Sequence, residues 1–298
     1  MSSLRVLIAG GTGTIGSAVT TRLRAVGHEV HLLSRSPSTD PMIHRWSPGT
    51  EPLDLDALGK FDAVINLSGT SVAQLPWTPK IKAGIYSSRL DSTKTIVDAV
   101  ARAKHKPSAL LNASAVGIYG ERGDQLLTEE SPAGAGFLAS VCSQWEGAAF
   151  ETPTGVRVVT LRTGLVLGHK GALTPLRLLT KAFIAGPLAG GKAWWPWISL
   201  NDEARAIIHL LTSKVSGPVN LVGPKPATAG TLMRTLAILL KRPYWIPVPR
   251  FAMNLLLGEG GQEVLLSSQK ISPAVLERDG FVFDEPTVSQ ALAAALRD

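Results

Sequence analysis

Apolar positions along the first two thirds of the chain fall into two rhythms. Short, nearly continuous runs occur at Leu4 to Ala9 (LRVLIA), Glu29 to Leu33 (EVHLL), Phe61 to Leu67 (FDAVINL), Ala109 to Ala113 and Val156 to Leu161 (VRVVTL). They are too short for helices and rich in Val, Ile and Leu, which predicts strands buried on both faces. Between them the period lengthens. Thr14 to Val26 puts Ile15, Ala18, Val19, Leu23 and Val26 on one helical face, and Gly27-His28 ends it. A long helix is predicted from Ile81 to Ala103, after Pro79, and another from Phe137 to Phe150. Strand and helix in alternation imply βαβ units. The expected fold is therefore α/β, a doubly wound parallel sheet of the Rossmann type.

After about residue 165 the alternation thins into Gly/Pro loops (Gly186-Pro187, Gly190-Gly191) and a tryptophan cluster, followed by a helix from about Asn201. A late strand at Pro218 to Val222 is expected to return to the sheet. From about residue 228 the periodicity is mostly helical, interrupted by Pro243, Pro247 and Pro249. The expected division is a Rossmann domain over 1–227 and a smaller, mostly helical substrate-side lobe over 228–298.

Composition narrows the class. Hydrophobic residues make up 45% and charged residues 18% of the 298. No apolar run approaches the roughly 20 residues needed to cross a bilayer. The N-terminal stretch Met1-Ser2-Ser3-Leu4-Arg5 has no cleavage-site pattern, so a cytoplasmic protein is expected. Cys142 is the single cysteine, which excludes an internal disulfide and a cysteine-based zinc site; no metal is expected. The net charge of +7 points to an anionic ligand. Basic residues come singly or in pairs, without interleaved aromatics, which argues against nucleic acid. A small anionic substrate fits the charge better.

The sharpest local signal is Gly10-Gly11-Thr12-Gly13-Thr14-Ile15-Gly16, which follows the first strand and opens the first helix. The first glycine allows a tight turn, Gly13 lets backbone approach a pyrophosphate, and Gly16 lets helix pack against strand. Phosphate is held by backbone N–H groups at the helix N-terminus, from Thr12 to Ile15. The second strand ends in Ser34-Arg35, where an NAD enzyme usually carries Asp or Glu for the ribose 2′-hydroxyl. Arg35 offers a donor fork suited to a 2′-phosphate, with Ser34 beside it, so NADP(H) is favoured over NAD(H). The bland alternative is a solvated loop arginine. Leu67-Ser68-Gly69, ending the Phe61 strand, is expected to border the same ligand. Asp54-Leu55 either reaches the adenine or caps a short helix.

These motifs resemble those of the extended short-chain dehydrogenase/reductase superfamily: GGTGTIG, DAVINLSG (Asp62 to Gly69), NASAVGIYG (Asn112 to Gly120), LRTGLVLG (Leu161 to Gly168) and WPWISLND (Trp195 to Asp202). More narrowly, Ser34-Arg35, Ser88-Arg89, FLASVCSQWE (Phe137 to Glu146) and the C-terminal helical part resemble the atypical branch of YfcH-type epimerases, or cell-division-inhibitor-like proteins. The resemblance implies an NADP-dependent oxidoreductase or epimerase-like enzyme. It also implies a homodimer through the long helix and an Arg89 that reaches cofactor or an anionic substrate. Its proton-transfer dyad, Tyr-x-x-x-Lys, is missing. The three tyrosines, Tyr86, Tyr119 and Tyr244, are followed four residues on by Leu90, Gly123 and Val248. Counting back from Glu146 puts Cys142 and Leu138 at the dyad positions. The upstream catalytic hydroxyl falls on Ala115.

Ser114 and Tyr119 remain as weak catalytic candidates, each with a structural alternative. Glu121, Asp124, Glu129, Glu130 and His169 read as a general base or as solvated loop residues. Cys142 reads as reactive or simply buried. Trp194, Trp195 and Trp197 read as a pocket lining or as a plug between lobes. Loss of the dyad with the cofactor motifs intact also admits a non-catalytic NADP(H)-binding regulator.

Overall fold

Each apolar run of the sequence becomes a strand whose alternate residues bury on opposite faces of one sheet. The computed structural model describes residues 3–297; Met1 and Ser2, part of the stretch read above for a leader, lie outside the described residues. In chain order the first half comprises β1 (Arg5–Ala9), α1 (Thr14–Ala25), β2 (Glu29–Ser34), β3 (Ile43–Arg45), α2 (Leu55–Leu58), β4 (Ala63–Asn66), α3 (Pro79–Arg102), β5 (Ala109–Ala115) and α4 (Phe137–Phe150). Strands Arg157–Thr163 and Gly217–Leu221 complete a sheet of seven parallel strands. Its order is 217–221, 157–163, β5, β4, β1, β2, β3. The order reverses between β1 and β4, and the loops leaving those two strands open the crevice where ligands of such sheets bind.

Two layers cover the sheet. Val6 and Ile8 of β1 pack with Val19 and Leu23 of α1 and with Ile207 and Leu210 of the helix Leu200–Thr212. Leu7, Val64 and Leu110 face the other way, onto Ile96, Val97 and Val100 of α3. Burying each such side chain contributes about 1.5–3 kcal/mol. The strand pattern was visible in the sequence for all but β3, which is only three residues long, Ile43 to Arg45, and has no alternation to read.

Several helices begin where a hydroxyl or carboxylate meets their free N–H groups. Thr78 accepts from Ile81 at the start of α3, and Ser199 accepts from Asp202. Asp54 accepts from Ala57 and caps α2, the second of its two expected roles.

The chain after residue 228 does not keep to itself. Helices Ala229–Leu239 and Val288–Ala295 build a cluster with Trp195 and Trp197, both buried, so these two indoles plug the space between the parts. Leu276 and Phe281 then return to the cluster that holds Val6 and Ile8. Lys270–Ile271 pairs with Leu126–Leu127.

Candidate functional site

At the switch point the glycines are required by contact. Gly10 has φ +77°, and a Cβ there would stand 2.6 Å from the Leu67 carbonyl oxygen, so only glycine lets the turns after β1 and β4 approach. A Cβ on Gly16 would overlap the Gly10 carbonyl, whereas one on Gly13 would meet nothing closer than 3.3 Å. Protein packing therefore explains Gly10 and Gly16, and Gly13 is left as backbone bare to the crevice. Gly13 caps α1 without a side-chain hydrogen bond, and no acidic residue stands in the first turn. The N–H groups of that turn and the helix dipole face the crevice with no side-chain cap among the described residues. The loop after strand Leu165–Leu167 passes close above, since a Cβ on Gly171 would lie 3.9 Å from Thr14 Oγ1.

On the β2 side, the Ser34 hydroxyl is used locally, donating to the Ser36 carbonyl at 3.0 Å. Arg35 is exposed and makes no hydrogen bond or ion pair among the described residues. On the β4 side, Leu67, Ser68 and Gly69 leave a strand end held by a buried polar network. Asn66 donates to Thr93 Oγ1 (3.1 Å) and Asn112 Oδ1 (2.8 Å), and Trp145 Nε1 donates to Thr93 Oγ1 at 2.9 Å. Such a satisfied network fixes the two strand ends against each other.

Arg89, on α3, lies directly against this loop: a Cβ on Gly69 would come within 3.3 Å of its guanidinium carbon. Its Nη1 donates to the carbonyls of Thr70 (3.1 Å) and Ile85 (3.0 Å), and the guanidinium stacks 5.0 Å from the Trp145 ring centre. No carboxylate pairs with it among the described residues. Burial lowers its pKa from the usual arginine value, an effect the nearby Cys142 opposes. Tertiary structure thus joins Gly10 to Ile15, Arg35, Leu67 to Gly69 and Arg89 along one sheet edge.

Ser114 and Tyr119 stand elsewhere. The buried Ser114 hydroxyl donates to Glu146 Oε1 at 2.6 Å. Glu146 is held bidentately by Arg162, both contacts at 2.9 Å. Arg162 also donates to the Tyr119 hydroxyl, which donates in turn to Asn220 Oδ1 at 2.7 Å. Tyr119 has no exposed surface, and burial pushes its pKa up. Both hydroxyls are committed to a closed network that ties β5, α4 and the last strands together. Glu129 belongs to it as well, accepting from the backbone N–H of Asn220 and Val275. Glu121 accepts from the backbone N–H of Ser268 in the C-terminal part, and Asp124 accepts from Trp194 Nε1. Buried Cys142 has its thiol pushed up to about 12 by desolvation. His169 is half-buried, with Nδ1 lacking a partner among the described residues.

Two features escaped the sequence reading. Glu263, from the far lobe, accepts from the N–H groups of Phe137 and Leu138, both at 2.7 Å, and so caps α4 across the chain. Nothing in the local pattern signals a cap 125 residues distant. Beside it a cavity of about 180 Å³ is lined by Gly117, Leu138, Arg250, Glu263 and Gln269 among others. Glu203 is the second, a carboxyl with no exposed surface, accepting from Thr163 Oγ1 at 2.8 Å. No metal-binding cluster occurs among the described residues, and no helix among them is long and apolar enough to cross a membrane.

Comparison with known proteins supplies the remaining facts. Residues 6–223 match the NAD dependent epimerase/dehydratase family, and residues 248–295 match a domain of unknown function, DUF1731. An epimerase family protein of Mycobacterium leprae is 39% identical over 97% of this chain and 95% of its own. A solved structure of the human epimerase family protein SDR39U1 with NADPH superposes with a TM-score of 0.89 at 30% identity, covering 98% of this chain and 99% of that one. A nucleoside-diphosphate sugar epimerase from Corynebacterium glutamicum superposes at 0.80 with 33% identity, covering 99% of this chain and 58% of that one.

Proposed function

The chain belongs to the NAD dependent epimerase/dehydratase family, and from that premise we propose that it is an NADP(H)-binding enzyme that exchanges hydride with a small-molecule substrate. The single observation that carries the cofactor half is the uncapped N-terminus of α1, set over Gly10 and Gly13 and flanked by an unpaired Arg35. The residues fit the ligand. N–H groups of Thr12 to Ile15 suit the pyrophosphate, Arg35 suits a 2′-phosphate, and Leu67 to Gly69 give a small-residue wall. The human relative solved with NADPH supports the same choice over NAD(H). When bound, the nicotinamide supplies a hydride donor or acceptor; the chain supplies position and charge.

A substrate wall is offered by the cavity beside Leu138, between α4 and the C-terminal part, with Arg250 to meet an anionic group. The Corynebacterium relative supports a nucleotide sugar as the substrate class. At about 180 Å³ the cavity holds one compact group, so the nucleotide would extend outside it.

The test is a titration of wild type and Arg35→Ala with NADPH and NADH, read by energy transfer from the seven tryptophans. Wild type is expected to prefer NADPH. Arg35→Ala is expected to lose about tenfold to a hundredfold in NADPH affinity, the worth of a charge-assisted contact, with NADH unchanged. Absence of binding at millimolar concentration would sink the assignment. Turnover is then read as NADPH oxidation against carbonyl compounds, nucleotide 4-keto sugars included.

A second reading, a cofactor-binding regulator without turnover, is favoured by one specific observation. Both dyad positions are non-ionised (Leu138, and Cys142 with its raised pKa), and the nearby hydroxyls of Ser114 and Tyr119 are sealed in the interior. It predicts tight NADPH binding, silence over the substrate panel, and a protein partner captured differently with NADP⁺ and NADPH.

A further inference from the structure

The excess of positive charge does not sit at the dinucleotide turn. Residues 152–258 carry thirteen Lys and Arg against two carboxylates, while the rest of the chain is net acidic, with 17 against 21. Those two carboxylates, Asp202 and Glu203, have no exposed surface. From Thr152 to Gly258 the exposed Lys, Arg, Asp and Glu side chains are therefore all cations. Glu259, the next carboxylate, is paired with Lys82. The same stretch is apolar where it meets water. Among the described residues, nine of the fifteen exposed large apolar side chains fall between Leu178 and Leu255.

Backbone contacts bring them together. Trp245 and Ile246 both donate N–H to the Ala185 carbonyl (3.0 and 3.2 Å), and Val248 donates to that of Pro187 at 3.0 Å. Segment 245–248 thus lies along the chain that leaves helix Leu173–Lys181, with Trp245 Nε1 on the Phe183 carbonyl and Arg242 4.8 Å over the Phe183 ring. Helix Arg250–Gly261 follows directly, and Phe251 and Leu255, four residues apart, share one of its sides. Trp245, Phe251 and Leu255 are 65%, 73% and 84% exposed. Two strained positions point the same way. Phe183 (φ +63°) and Lys241 (φ +54°) follow helix ends in the left-handed conformation where glycine is usual, so one apolar and one cationic side chain are kept there against a backbone cost. An exposed apolar patch of this extent marks a docking surface. The cations around it argue against a second copy, whose matching face would repel it, and select an anionic partner. Protruding apolar anchors, a tryptophan among them, flanked by Lys and Arg are the pattern of a protein lying at a bilayer interface.

We propose that this face docks on an anionic lipid bilayer: Trp245, Phe251 and Leu255 enter the headgroup boundary, and Lys181, Lys241 and Arg242 meet lipid phosphates. The chain lies on the bilayer and does not cross it. The full chain is sedimented with vesicles of phosphatidylcholine alone and of phosphatidylcholine mixed equally with phosphatidylglycerol. Wild type is expected on the mixed vesicles and in solution with the neutral ones. Phe251→Ser with Leu255→Ser, and separately Lys181→Glu with Arg242→Glu, are each expected to weaken binding at least about tenfold, through lost apolar burial and lost phosphate attraction. All four residues are exposed, and thermal melting verifies each fold. Should the serine pair not fold, the charge pair decides alone. Brominated lipid is expected to quench wild-type tryptophan fluorescence, and Trp245→Phe to lose most of that quenching. Wild type left in solution by the mixed vesicles, equal binding to both vesicles, undiminished binding by the folded variants, or quenching unchanged in Trp245→Phe would each overturn the assignment. A dimeric wild type that Leu255→Ser converts to monomer, with no vesicle binding, would give the face to a second copy instead.

Discussion

Glu203 is the residue whose chemistry least suits its surroundings. Its carboxyl has no exposed surface, Oε2 has no partner among the described residues, and burial pushes its pKa up to about 8 from an ordinary 4.5. Between those two values the folded chain holds a proton that the unfolded chain has released. Stability therefore falls as pH rises from about 4.5 through about 8, by on the order of 3 kcal/mol at pH 7. Glu203→Gln is expected to remove that slope and to be the more stable protein at pH 8. Urea denaturation at pH 5 and pH 8 reads it, and parallel slopes in both proteins would dismiss the idea. Cys142 makes a complementary case. With its thiol pushed up to about 12 it is expected to stay unmodified by a thiol reagent in the native protein and to react fully once unfolded. The tight turn at Gly10 and the place of Arg35 at the end of β2 were legible because each signals through its own neighbours in sequence. The burial of Ser114, Tyr119 and Glu203 was not, because it depends on what the rest of the chain lays over them.

Among the elements, α1 and α4 show two ways of treating a helix N-terminus that has no local cap. α1 leaves it open to the crevice behind Gly13. α4, preceded by Gly136 at φ +115°, has it filled by the Glu263 carboxylate, and a Cβ on Gly136 would stand 2.9 Å from that group. Glu263→Ala is expected to cost about 1–3 kcal/mol, the worth of two charge-assisted bonds at a dipole's positive end. Glu263→Gln, which keeps one acceptor oxygen, is expected to lose less. Chemical denaturation of the three proteins checks the order; equal stabilities would show that the contact holds nothing. The boundaries of α4 were readable from Phe137 to Phe150, but the source of its cap was not, since the partner lies in another part of the chain.

For the molecule as a whole, the part beyond residue 228 is woven into the sheet domain rather than set beside it. Leu276 and Phe281 complete the cluster of Val6 and Ile8, and Asp202 accepts from the backbone N–H groups of Asp284 and Glu285. A chain ended at Ala227 is accordingly expected to lack a cooperative thermal transition, whereas the full chain shows one. A truncated chain that melted cooperatively and bound NADPH would instead establish 1–227 as a domain in its own right. Sequence alone determined the parallel sheet, the glycine-rich turn after β1 and the absence of any Tyr-x-x-x-Lys. These are written in periodicity, in glycine spacing and in residue identity, which local backbone sterics and hydrogen bonding translate directly. Tertiary structure alone decided that Ser114 and Tyr119 are interior, that Glu263 caps α4, and that Arg89 stands unpaired beside Gly69. Burial, charge pairing and long-range capping depend on which distant segments meet, and no window along the chain contains both partners.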